Sequence, residues 1–259
     1  YYTAFYGRTK SQHAAFVTVL RKKYANESLW KREKYGLHTD KQCDLREIRS
    51  AVREKSRQFS AVYSKITLTA YSRIGRALTR MTGLNRIDLH VTYKSGPLIA
   101  ADATAGLVMR WRAHGLPLRT SKTMMSDLHY EAAELAGIGG GPHTVIMLNL
   151  WAHFTSFPVR VYLERLEKVQ QAVSSLLFRS PETTVIIKSA NTGYNSEYGG
   201  DWLSLQLDLL LRATFKGMGV IILDVWDMTS CHYLPDNIHP EPPVIKNEVD
   251  LMLSYICPK

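Results

Sequence analysis

An aspartate stands three residues before a histidine near the carboxyl end of the chain, in Asp236-Asn237-Ile238-His239. The pair has the residue types and the spacing of acid–base chemistry. A histidine that acts as a general base needs a partner on its second ring nitrogen. That partner fixes the tautomer and stabilises the imidazolium. An aspartate on the same loop can supply it. The base then needs a nucleophile, usually a serine hydroxyl, delivered from an early strand end. Taken alone the spacing is a weak signal, because nine histidines and ordinary aspartate usage produce such a pair by chance. The plain alternative is a loop histidine beside a helix start, since Pro240 and an amphipathic helical pattern follow at once.

Positioning such a pair requires a scaffold, and the periodicities after about residue 70 describe one. "IDLHVTY" (87–93) alternates like a strand, and "GLVMRW" (106–111) reads as another. "HTVIMLNLW" (143–151), "TTVIIKSA" (183–190) and "MGVIILDVW" (218–226) are nearly continuous apolar runs, as strands buried on both faces should be. Helical stretches fall between them at 124–137, 159–180 and 202–217. The last two end in charge or glycine, as helix C-termini do. Strands alternating with helices predict a mostly parallel sheet with right-handed crossovers. "AGIGGGPH" (136–143) leads into a strand rather than out of one, so it reads as a turn and not as a phosphate-cradling loop. In a sheet of this kind ligands bind at the carboxyl ends of the strands. Three loops leave those ends: Trp151–Phe154, Ser189–Thr192, and the segment from Asp224 to His239.

The rest of the chain is different in kind. Residues 1–70 read as a basic, mainly helical extension. Within it "DLREIRSAVREKSRQFSAVYSKI" (44–66) has helical apolar spacing, with Asp44 and Glu47 placed as a capping box. The domain organisation predicted is therefore an extension at 1–70 and an α/β domain at 71–259. Residues 1–80 carry 18 of the 33 Lys and Arg and 6 of the 23 Asp and Glu, a balance of +12, while the remainder balances at −2. Clusters such as Arg21-Lys22-Lys23 suit a polyanion. A solvated helical surface accounts for them better, because no nucleic-acid motif accompanies them. No run of 18 apolar residues exists, which excludes a transmembrane helix within the chain. The first residues lack the apolar core of a signal peptide, so the chain reads as a processed or excised piece. Cys43, Cys231 and Cys257 form no CxxC, which argues against zinc, and no metal or other cofactor is expected. Cys231 and Cys257 flank the Asp236–His239 segment and are placed to bridge in an oxidising compartment. Asn26-Glu27-Ser28 is a single glycosylation sequon.

"TVIMLNLWAHFTSFPVRVYLERLEKVQQAVSSLLFRSPETTVIIKSANT", "VIILDVWDMT" and "DNIHPEPPVIKNEVDLMLSYIC" together resemble the C-terminal domain of the neurexophilin and PC-esterase (NXPE) family. The resemblance runs from about 70 to the end and is strongest after 144. It implies a three-layer SGNH-hydrolase-like α/β fold related to esterases and sugar O-acetyltransferases of the secretory pathway. Three chemical blocks carry over. Asp236 and His239 match the Asp-x-x-His block. Trp151-Ala152-His153-Phe154 matches a Gly-x-His-Phe block, with Trp151 standing where the family has glycine. Gly75-Arg76-Ala77-Leu78-Thr79-Arg80 is the best match to Gly-Asp-Ser-Thr-x-Arg. There Gly75 and Arg80 align, Arg76 replaces the aspartate, and Ala77 replaces the nucleophilic serine.

An alanine methyl cannot attack a carbonyl. The resemblance therefore implies a degenerate esterase-like protein with a binding or structural role, and a glycan or a protein as its partner. The alternative is an active acyl-transfer enzyme on glycan hydroxyls. It would use His239 as base, Asp236 as orienter, and a hydroxyl such as Ser72 or Thr79. In either case Gly75, Arg80, His153 and Asn191 are expected to line the pocket, with His153 helping to bind substrate or oxyanion. Trp151 is expected to fill space where backbone approaches a substrate oxygen. Trp111, Trp202 and Trp226 read as core, and His90, His114 and His129 as surface or satisfied core positions.

Overall fold

The computed structural model describes residues 66–70, 85–87, 89–93, 95–102, 107–119, 122–193, 200–230 and 239–256. Seven strands form one sheet: β1 (Ile66–Ala70), β2 (Asn85–Ile87), β3 (Leu98–Asp102), β4 (Leu107–Trp111), β5 (Thr144–Leu148), β6 (Thr184–Lys188) and β7 (Ile221–Leu223). Their order is β2-β3-β4-β1-β5-β6-β7. The five strands from β4 to β7 pair in parallel, and β3 and β2 extend the edge antiparallel. The helices are α1 (Glu131–Gly137), α2 (Val159–Arg179), α3 (Asp201–Phe215), α4 (Trp226–Ser230) and α5 (Pro242–Ile256).

The apolar runs are continuous because both faces of the sheet are covered. Along β5 and β6, Ile146, Leu148, Val185 and Ile187 join one core with Leu135 of α1, with Leu166, Val169 and Val173 of α2, and with Leu207, Leu210 and Leu211 of α3. The alternate residues Val145, Met147 and Ile186 join a second core with Val249, Met252 and Leu253 of α5. Period-two alternation thus sends neighbouring side chains into different layers, and the result is three layers, helix–sheet–helix. In α2 the buried positions Tyr162, Leu166, Val169, Val173 and Leu176 recur every three or four residues, which is one helical face.

The Gly-rich segment is a turn. Gly140 and Gly141 have φ of 87° and 117° and lead from α1 into β5. A Cβ on Gly140 would come within 2.6 Å of Ser180 Cβ. The backbone N–H of Gly141 donates to Thr183 Oγ1 at 2.9 Å. Arg179, in the last turn of α2, donates to the carbonyls of Leu135 and Ile138 at 2.8 and 2.7 Å, capping the end of α1.

Several expectations are corrected. The sheet begins at Ile66, so the last five residues of the predicted extension are a central strand. Their pairing with β4 and β5 outweighs the helical spacing of the segment before them. The rest of the extension, 1–65, lies outside the described residues. "IDLHVTY" alternates, yet among its described residues only Ile87 is strand; the strand is Asn85–Ile87 at the sheet edge. The stretch 124–137 is a 3₁₀ turn, Met125–Asp127, followed by α1 rather than one helix. β3 and α4 carried no signal that was read from sequence. Trp202 is half exposed, at 50%, whereas Trp111 and Trp226 are core.

One buried ion pair ties α5 to the sheet. Lys188, at the carboxyl end of β6, is fully enclosed, with Glu248 Oε1 of α5 3.6 Å from its Nζ. Burial pushes the lysine down and the glutamate up, and each opposes the shift of the other. Removing one partner strands a buried charge, at a cost of about 3–5 kcal/mol, whereas replacing both with apolar groups is close to neutral. Glu248→Leu is therefore expected to lower the unfolding free energy by about that amount, and Lys188→Met with Glu248→Leu to recover most of it. Urea titrations of the three proteins check this. Equal losses in the single and double variants would mean that the pair carries no such constraint.

Candidate functional site

β1 lies between β4 and β5, parallel to both. The carboxyl ends of these three strands therefore share one edge. The chain after β4 carries His114, and the chain after β5 carries His153. The chain after β1 carries Gly75, Arg76, Ala77 and Arg80. These four, with Ser72 and Thr79, lie outside the described residues, as do Asp236, Cys43, Cys231 and Cys257.

His153 sits in a 3₁₀ turn, Ala152–Phe154, directly after β5. Buried residues anchor it on both sides. Trp151 is 3% exposed and Phe154 1% exposed, both in the core over α2 and α3. The indole of Trp151 is thus part of the core. Phe154 packs on Tyr162 with ring centroids 5.1 Å apart. Tyr162 Oη donates to the Leu150 carbonyl at 2.6 Å. The hydroxyl of Thr155 donates to the Ala152 carbonyl at 2.9 Å. Arg119 donates to Thr155 Oγ1 at 3.2 Å and also to Ser156 Oγ.

The partner of the His153 ring is His114. His153 Nδ1 and His114 Nε2 are 2.7 Å apart, and the ring centroids 4.7 Å. His114 Nδ1 lies 2.7 Å from the Gly115 carbonyl. Behind His114 stands Glu131, fully buried, with Oε1 3.8 Å from His114 Nδ1 and Oε2 3.0 Å from Arg165 Nη1. The guanidinium of Arg165 lies over the Tyr130 ring, 4.4 Å from its centroid, and donates to the Leu116 carbonyl. Burial raises the Glu131 carboxyl, and the Arg165 charge opposes that rise.

Both histidines are held neutral. Burial lowers His114 from 6.5 to about 4, the Gly115 hydrogen bond opposes this, and the Arg165 charge adds to it. Burial also lowers His153, to about 3, followed by the charges of His114, Arg119 and His239. His239 is exposed and lies close enough for its charge to act on His153. His239, shortly before α5, is thus within electrostatic range of the turn after β5.

Asn191 lies in the loop after β6. It is buried, and its Oδ1 accepts from Lys188 Nζ. Its loop is held by Asp208 of α3, whose Oδ1 accepts from the Ala190 N–H at 2.7 Å. Arg212 bonds Asp208 at 2.6 Å and Asp224 through two contacts of 2.7 Å. Asp224, placed by sequence near the site, thus ties β7 to α3. The residue that sequence reasoning passed over is His114. It lies three positions beyond β4, at the same sheet edge that singled out His153. Among the described residues no group of three His, Cys, Asp or Glu is placed to hold a metal ion. Among them also, no helix is long and apolar enough to cross a membrane.

The model of the family "NXPE family member 4-like, C-terminal domain" matches residues 69–257. The chain belongs to the NXPE family. The match starts inside β1 and ends one residue after α5, so it spans nearly the whole sheet. Among solved structures, a candidate SGNH hydrolase from Slackia heliotrinireducens is similar, with a TM-score of 0.43 and 12% identity, over 74% of this chain and 98% of that one.

The histidine pair makes a prediction about pH. A buried His114 held near 4 binds fewer protons than the unfolded chain below 6.5. Its contribution to stability is complete above that value and is lost as the pH falls towards about 4. The loss is on the order of 3 kcal/mol. Urea midpoints measured between neutral pH and about pH 4 should fall steeply, and less steeply in His114→Gln, which has no titrating group. Parallel slopes in the two proteins would contradict a neutral, buried His114.

Proposed function

We propose that this chain is a degenerate PC-esterase-like protein, one that binds glycan hydroxyl groups at the carboxyl edge of its sheet without turning them over. The observation that carries the reading is Ala77, preceded by Arg76, where the family motif places Asp-Ser. Without a nucleophile, triads of this kind retain only binding and oxyanion stabilisation, a loss on the order of a millionfold. The binding half is supported by the place of His153, directly after β5 at the edge where such sheets take ligands, with His239 within electrostatic range. Family membership supports the secretory pathway as the compartment.

A second reading is favoured by one observation. His239 acts electrostatically on His153, and Asp236 stands three residues before it in the sequence, the types and spacing of an acyl-transfer base and its orienter. The protein would then be an esterase or O-acetyltransferase on glycan hydroxyls with its hydroxyl nucleophile at Ser72 or Thr79.

Release of acetate from acetylated sugars and aryl acetates separates the two. The unmodified protein is expected to give no rate above background. Ala77→Ser with Arg76→Asp is expected to gain activity that His239→Ala then removes. Activity in the unmodified protein that disappears in His239→Ala would overturn the degenerate reading in favour of the second.

A further inference from the structure

The two histidines at the sheet edge have their protons assigned by geometry. A carbonyl oxygen only accepts, so His114 Nδ1, 2.7 Å from the Gly115 carbonyl, must carry a hydrogen. A neutral imidazole has one hydrogen, so His114 Nε2 is a bare acceptor. It faces His153 Nδ1 at 2.7 Å, so that nitrogen must donate. The second nitrogen of His153 is then bare as well. It makes no hydrogen bond to a described residue. The relay runs in one direction, from His153 through His114 into a fixed backbone carbonyl.

We infer that His114 is a positioning residue that locks His153 in its Nδ1–H tautomer, so that His153 Nε2 accepts a hydrogen bond and the site takes a ligand group that donates, a sugar hydroxyl or an amide N–H, in preference to an oxyanion. This deepens the binding reading above and rests on it for the place of the ligand. It holds whether or not catalysis survives.

The surroundings enforce the direction. If His114 were protonated, its Nε2 would donate, His153 Nδ1 would accept, and His153 Nε2 would become an N–H. Glu131 Oε1, 3.8 Å from His114 Nδ1, favours that charged state. Arg165 is paired with the same carboxylate at 3.0 Å and offsets it. Arg119 adds further positive charge near the His153 ring. Enclosure of both rings works against a charge on either. A lone pair at Nε2 repels an oxyanion. His153 is therefore unsuited to the oxyanion-stabilising role that its position in the sequence suggested.

Long-range proton–nitrogen correlation spectra of the ¹⁵N-labelled protein at neutral pH read the tautomer directly. The His153 signals are identified by their loss in His153→Phe. Nε2 is expected at the position of an unprotonated ring nitrogen and Nδ1 at that of a protonated one. In His114→Gln the amide oxygen still accepts, and the pattern should persist. In His114→Leu no acceptor remains, and the Nε2–H tautomer should appear. A protonated Nε2 in the unmodified protein, or an unchanged pattern in His114→Leu, overturns the lock.

The ligand class is read on the same signal. A methyl glycoside with free hydroxyls should shift Nε2 and should bind about tenfold more weakly to His153→Phe, the worth of one hydrogen bond. Its fully O-methylated counterpart, acetate and phosphate should not shift it. A shift from acetate or phosphate overturns the ligand class. No response to either glycoside with the lock intact overturns the ligand class too, and with it the binding reading of this edge, while leaving the tautomer assignment standing.

Discussion

The parallel pairing of β1 with both β4 and β5 is the constraint on which the site depends. Parallel neighbours end on the same side, and a strand inserted between two others must send its following loop out between theirs. His114 and His153 are 39 residues apart in sequence and become hydrogen-bonded partners because they follow β4 and β5 across that one strand. The register is kept by side chains buried on both faces of β5 and β6. A slip of one residue would exchange the faces of every core position in the strand that moved.

The polar chemistry of the molecule is arranged around that edge in two buried groups. One is the His153–His114–Gly115 relay, with Glu131 and Arg165 behind it. The other is Lys188, Glu248 and Asn191, which joins the end of β6 to α5, with Asp208 and Arg212 holding the loop beside it. Each group is costly to bury and is tolerated because its charges are paired, although Glu131 Oε1 and Glu248 Oε1 make no hydrogen bond to a described residue. The second fixes the helix that begins just after His239. The first fixes the ring on which His239 acts electrostatically. Charge at one side of the edge and hydrogen-bond direction at the other are therefore set by groups that no ligand need touch.

Much of this was legible in the sequence where burial leaves a strong pattern. "HTVIMLNLW" and "TTVIIKSA" could hardly be anything but doubly covered strands, and α2 has an unbroken apolar stripe. The weak points have physical causes. β1 is the short "ITLTA" with two threonines, set directly after a helical pattern, and only its neighbours make it a strand. "IDLHVTY" alternates well but lies at an edge, where one side of the ladder has no partner. The block containing His153 lies directly after β5, at the carboxyl edge of the sheet. His114 was passed over because nothing local distinguishes it. Its role comes from a contact across β1, and sequence spacing carries no record of such a contact.

The central proposal is that Ala77, where the family motif has serine, belongs to the same site as the histidine pair. A nitroxide attached to Ala77→Cys, with the three native cysteines changed to serine, tests it without relying on activity. The account predicts that the ring signals of His153 and His114 are broadened strongly by the label, while residues at the opposite end of β5, such as His143, are not. Sharp His153 and His114 signals in the labelled protein would place residue 77 away from this edge, and its alanine could then say nothing about catalysis.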